Sequence, residues 1–192
     1  MKALKLAVAA LMLLSPSAFG GVIVYTAALA GTNESPPNAS PGTGFAEVDV
    51  NPLAHTMRVM VTFSDLLAPN TASHIHCCTA VPGAGNASVA TTTPTFTGFP
   101  SGFTSGSYDH TFDLTLASTY RAGFVTTSGS VANAEAILLA GLDAGTAYLN
   151  IHSTVFPGGE IRGFLQLQTP EPATFLLAGA ALVGLVIRRR RK

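Results

Sequence analysis

Histidine and cysteine hold most of the chemical potential of this 192-residue chain, which has five of the first and two of the second. His74 and His76 stand two residues apart in an apolar–polar alternation, and on a strand that spacing puts both imidazoles on one face, close enough to share an ion. His152 ends a second Ile-His segment and supplies a third ligand if the two strands are neighbours. Imidazole donors of this kind suit Zn or Cu. His110 is a weaker fourth ligand, because its strand face also carries Tyr108, Phe112 and Leu114. The plainer use is structural: His74, His76, Asn150 and Glu160 hydrogen-bond one another and nearby backbone, pinning hairpins. Both uses stay open on the sequence.

Cys77 and Cys78 follow the histidine pair directly. Adjacent Cα atoms lie about 3.8 Å apart across a trans peptide, below the usual range of roughly 4.4–6.8 Å for a disulfide. Four fates remain: a strained vicinal bridge, a bridge to another chain that would make a cross-linked structural protein, thiolate ligation beside His74 and His76, or an inert half-buried pair. Thiolates would favour a soft ion such as Cu(I). The carboxylates offer less. Glu47 with Asp49, and Asp109 with Asp113, each share a strand face, a pattern that serves solvation more than a glycosidase-like pair. The sequence has no G-x-S-x-G elbow and no phosphate-cradling glycine loop.

The elements that must position these groups are mostly strands. Met57, Val59, Val61 and Phe63 alternate with Arg58, Met60 and Thr62. Tyr108 to Leu114 and Ile161 to Leu167 alternate in the same way. Residues 21–30 and 45–50 are further strand candidates, separated by a turn-rich stretch, and Pro157-Gly158-Gly159 predicts a hairpin joining the strand of His152 to that of Ile161. One helix is expected where Val131, Ala134, Ile137, Leu138 and Leu142 recur at helical spacing, with Ser130 as N-cap and Gly145 beyond its end. Residues 84–107 predict a long loop or two weak strands, with Phe96, Phe99 and Phe103 as packing residues or as a carbohydrate contact. A faint echo relates Leu66…Ile75-His76 to Leu142…Ile151-His152. These short strands and turns together predict a mainly β fold, an antiparallel Greek-key-like β-sandwich with one short helix.

The two ends read as addresses. Lys2 and Lys5, an apolar run from Leu6 to Leu14, Ser15-Pro16 and the small Ala18 and Gly20 make a secretory signal peptide, residues 1–20, cut after Gly20. The far end, residues 169–192, runs from Thr169 through Pro170-Glu171-Pro172 to an uncharged segment at 175–187 and a basic end at 188–192. Thirteen apolar residues span about 20 Å of helix, short of a roughly 30 Å hydrocarbon core, so the segment inserts only as a marginal anchor with its basic end cytoplasmic. The zero net charge divides along the same lines. Seven of the ten basic residues lie in these ends, and the middle keeps three arginines against nine acids, a balance of −6. An acidic domain argues against nucleic acid and other anionic partners. Three N-x-S sequons fall in the middle, at Asn33, Asn38 and Asn86.

Two resemblances follow from these motifs. Pro170-Glu171-Pro172, the apolar segment and the basic end resemble the PEP-CTERM sorting signal of Gram-negative bacteria that make exopolysaccharide. That resemblance implies recognition by an exosortase, a membrane-held intermediate, and delivery to the cell surface or extracellular matrix. Residues 28–37 (ALAGTNESPP), Gly42-Thr43-Gly44-Phe45-Ala46, Ala72-Ser73-His74-Ile75-His76, and Ala147 to His152 followed by Pro157 to Gly163 resemble the CHRD domain, first named from chordin, over residues 22–168. That resemblance implies a β-sandwich-like domain for extracellular interactions, with no reaction attached. Cys77-Cys78 departs from the family, where small or polar residues are more usual. The expected function is therefore an exported, non-catalytic interaction or structural module that meets exopolysaccharide or another envelope protein. The alternative is an extracytoplasmic Cu or Zn protein, redox-active in one version, centred on the histidines.

Overall fold

The computed structural model describes residues 21–168. The expected signal peptide, the Pro170-Glu171-Pro172 motif and the apolar C-terminal segment lie outside the described residues. Within them, no helix is long and apolar enough to cross a membrane.

Period-two alternation produces long antiparallel strands. β1 (Ile23–Ala30), β2 (Thr43–Asn51) and β3 (Thr56–Ser64) form a meander, and β5 (Gly106–Asp113) adds to the outer edge of β3. On the other side of β1, the order runs through β7 (Ile161–Phe164) and β6 (Tyr148–Ser153) to β4 (Asn70–His76), and the short β8 (Gln166–Leu167) also pairs with β1. The eight strands make one curled antiparallel sheet. The expected pair of packed sheets is thus replaced by a single one. Its apolar face is closed by a helix and a long loop instead of a second sheet.

That face gathers Tyr25, Leu29, Val48, Val50, Met57, Val59, Ile75, Leu149, Ile151 and Ile161, all fully buried. Against it packs α2 (Val131–Asp143), through Ala134, Leu138 and Leu142. The helix starts as its sequence predicts, with the Ser130 hydroxyl accepting from the Asn133 amide. A second helix, α1 (Ala122–Ser128), precedes it, where only one helix was expected. It ends at Gly129 in the left-handed conformation, at φ 85°. Gly123 and three β-branched residues give α1 weak intrinsic helicity, so it carries no clear periodic signal.

The stretch at 84–107 forms a loop with isolated bridges that lies along the edge of β4. The Phe96 amide donates to the Ser73 carbonyl at 2.9 Å, and the Asn70 amide donates to that of Phe103 at 2.8 Å. Phe96 and Phe99 are buried against Phe63 and Tyr108 and serve packing. Phe103 alone of the three is exposed. Covering this edge removes a row of free backbone donors and acceptors that would otherwise pair with other chains. Leu167 departs from the expected alternation. The strand ends at Phe164, Leu165 interrupts it, and Leu167 is half-exposed on β8.

Candidate functional site: a buried polar layer with three histidines

Strands β4, β6 and β7 are buried on both faces. Ile75, Leu149, Ile151 and Ile161 point into the apolar core, so the alternating positions His74, His76, Tyr148, Asn150, His152 and Arg162 must lie on the other face. The loops at 31–40 and 84–98 cover that face and convert it into a buried polar layer.

Pairing of β4 with β6 decides which histidines meet. The strands run antiparallel, with His76 opposite Tyr148, His74 opposite Asn150 and Ala72 opposite His152. The two Ile-His ends of the sequence echo therefore sit at opposite ends of the pair, and it is His74 that lies diagonal to His152. Their Nε2 atoms are 3.0 Å apart. His76 completes the group, and one ring nitrogen from each of the three lies within 4.8 Å of the others. His110 is not part of it. It is exposed on β5, at the far edge of the sheet, between Tyr108 and Phe112.

Each ring is oriented through its other nitrogen. Nδ1 of His74 lies 3.0 Å from the Pro94 carbonyl oxygen, that of His76 2.8 Å from Ala87, and that of His152 3.0 Å from Pro157. A carbonyl only accepts, so all three Nδ1 atoms carry protons and donate. In neutral rings every Nε2 then presents a lone pair. Burial, reinforced by the neighbouring imidazoles, holds His74 down to about 3. Burial also holds His76 down to about 4 and lowers His152. The rings are neutral near pH 7, which is the ligating form of imidazole. The 3.0 Å contact between His74 and His152 therefore brings two lone pairs face to face, and the buried Nε2 of His76 has no hydrogen-bond partner.

Beside the histidines lies a second polar group. His76 stacks on Tyr148 at 4.6 Å, and the Arg162 guanidinium sits 4.7 Å over that same tyrosine ring. Arg162 is buried. It donates to the Asn33 carbonyl at 2.5 Å and to Asn86 Oδ1 at 2.8 Å, and it faces the buried Glu34 carboxylate at 3.7 Å. Burial pushes the Glu34 carboxyl up to about 7, against the downward pull of Arg162. Glu160, fully buried, accepts from the Ser40 hydroxyl and the Leu67 amide, each at 2.6 Å. Asn38 donates to the carbonyls of Gly159 and Glu160. Gly159 fits because its φ is 134°, and a Cβ there would lie 2.5 Å from Asn150 Nδ2 and 2.7 Å from Glu34 Oε1.

Glu160 and the histidines are thus anchored mainly to backbone and to the 31–40 loop, rather than to one another through a shared network. The strand-face carboxylates fit solvation: Asp109 and Asp113 are exposed, and Glu47 and Asp49 are half-buried. Asp109 is held by Arg58 in a two-pronged contact, which keeps its carboxyl below the ordinary range, and Asp49 lies 4.0 Å from the same guanidinium.

Cys77 and Cys78 form a vicinal disulfide. Both sulfurs lie under α2, 3.9 and 3.7 Å from the Ile137 carbonyl oxygen; without a thiol proton these are packing contacts. Gly141 of α2 leaves the room, since a Cβ there would collide with both sulfurs. The bridge faces the helix, whereas the imidazoles face the loop side, so no mixed His–Cys ligand set forms in this state.

The domain is a curled antiparallel sheet in which β4, β6 and β7 carry a buried polar layer opposite the apolar core, and Asn38 and Arg162 tie the 31–40 loop to residues 159–162. The chain belongs to the CHRD domain family, whose profile matches residues 25–165. A PEP-CTERM protein-sorting motif matches residues 168–191. No curated protein and no solved structure matches the chain.

Residues 28–37, 72–76, 147–152 and 157–163, which carry the resemblance, supply most of the polar layer, joined by Asn38, Ser40 and Asn86; the fifth stretch, 42–46, runs into β2 instead. Sequence reasoning missed Glu34 and Arg162 as a buried pair. The signal available was charge scarcity: Arg162 is one of only three arginines between residues 21 and 168, inside an otherwise apolar strand.

Proposed function

We propose that the protein is an exported, non-catalytic interaction module of the bacterial envelope or exopolysaccharide matrix, delivered through its C-terminal tail. The observation that carries this is the junction: the sorting motif follows the CHRD domain with only residues 166 and 167 between the two matches. PEP-CTERM motifs are recognised by exosortase, so a processing enzyme of that type is the first partner. The membrane is a second, transient partner through the segment at 175–187. Asn38, Ser40, Glu160 and Arg162 hold the 31–40 loop to the sheet, which supports a binding scaffold. Binding then falls to exposed loops and strand faces.

The test is fractionation of the full-length chain in a host with and without its exosortase. With the enzyme, the chain should reach the cell surface or medium. Without it, or with Pro170, Glu171 and Pro172 all changed to Ala, it should stay in the membrane fraction. Surface delivery that ignores both changes would overturn the proposal.

A further inference from the structure

We propose that Nε2 of His74, His76 and His152 form a metal site for a single Cu(I) ion, buried between the loop at 87–94 and the β4–β6 pair. The inference goes beyond the delivery of the domain and does not depend on it.

Three observations converge. First, each histidine has its Nδ1–H committed to a backbone carbonyl. This is the outer-shell arrangement that fixes the tautomer and aims Nε2 of a metal-bound imidazole. Second, His74 and His152 present Nε2 lone pairs to each other at 3.0 Å. Two lone pairs at that distance repel unless a proton or a metal cation lies between them. Two nitrogens 3.0 Å apart sit at roughly a right angle about an ion bonded at about 2.0 Å. Third, Nε2 of His76 is buried without a partner. The ring nitrogens lie within 4.8 Å of one another. A shared ion at bonds of about 2.0 Å allows no more than about 4 Å between two ligands, so His76 closes by up to about 1 Å.

The donor set selects the ion. All three ligands are neutral imidazoles, and no carboxylate belongs to the cluster. Arg162, over the tyrosine that stacks on His76, is the nearest charged group, and Glu34 faces it rather than the imidazoles. A buried dication would be left without compensating charge. Zn(II) on three histidines also keeps a fourth, water-bearing position. Cu(I) carries one charge, suits imidazole donors and accepts three-coordinate geometry without water. The vicinal disulfide takes no part, since its sulfurs lie under α2.

The full-length chain, purified in detergent and stripped of metal, is titrated anaerobically with Cu(I) against bathocuproine disulfonate, and separately with Zn(II) against a chromophoric chelator. The expected result is one Cu(I) held per chain and no stoichiometric Zn(II). Loss of an orienting group alone costs about 10–100-fold in affinity. His74→Gln and His76→Gln, which remove ligands, should therefore weaken Cu(I) binding by at least about 100-fold, while His110→Gln leaves it unchanged. Circular dichroism reports whether each variant is folded. If a ligand variant fails to fold, X-ray absorption of the copper-loaded native chain should show three imidazole nitrogens at about 2.0 Å. Absence of stoichiometric Cu(I), preferential retention of Zn(II), or equal losses in the His76 and His110 variants would each overturn the proposal.

Discussion

At the scale of single residues, Arg162 and Glu34 are a buried pair of opposite charges. Such a pair is costly to break from one side, because the survivor stays buried and uncompensated. Arg162→Leu should destabilise the domain by about 3–5 kcal/mol near pH 8 in denaturant titrations. The loss should shrink toward pH 5. Glu34 is pushed above its unfolded value of 4.5, to about 7. A raised carboxyl contributes fully below pH 4.5 and loses that contribution as pH rises through about 7. A destabilisation that stays the same from pH 5 to 8 would contradict this. Gly141 gives a second residue-scale test: Gly141→Ala drives a methyl into the sulfurs of Cys77 and Cys78 and should cost about 1–3 kcal/mol, read from the denaturation midpoint. The ligand types and the i, i+2 spacing of His74 and His76 were legible in the sequence. The partnership of His74 with His152 was not, because it rests on which of two distant strands pair and in which direction.

At the scale of elements, legibility followed local periodicity. β3 shows strict alternation, and its apolar face is the buried one. α2 shows helical spacing, a serine cap and a stop. Ser130→Ala should lower stability by about 1 kcal/mol in the same titrations, and no change would mean that the cap is unimportant. α1 was hidden because seven residues rich in Thr, Val and Gly have little helical tendency of their own. It is held by contact with α2 and by Phe124 and Val125 packing on the core. The single curled sheet was hidden for a different reason. Alternation tells which side of a strand is apolar, but not whether a second sheet or a helix covers it. On β6, whose residues are all buried, the second covered face is polar, and Asn150 and His152 look in sequence like solvent-facing positions.

At the scale of the whole molecule, the neutral balance of the chain separates into basic ends and a domain of charge −6. The sorting motif at 168–191 contains Arg188 to Arg191, and the CHRD domain at 25–165 carries the acidic share. Delivery to the cell surface should therefore release an acidic domain, parted from the residues that balance it. The most direct test is intact-mass spectrometry of the protein recovered from the surface of an exosortase-bearing host. The predicted mass is that of a chain beginning at Gly21, lacking residues 188–192, and lighter by two hydrogens for the Cys77–Cys78 bridge. A surface-borne chain that still ends at Lys192 would contradict the central claim that the tail is a processed address.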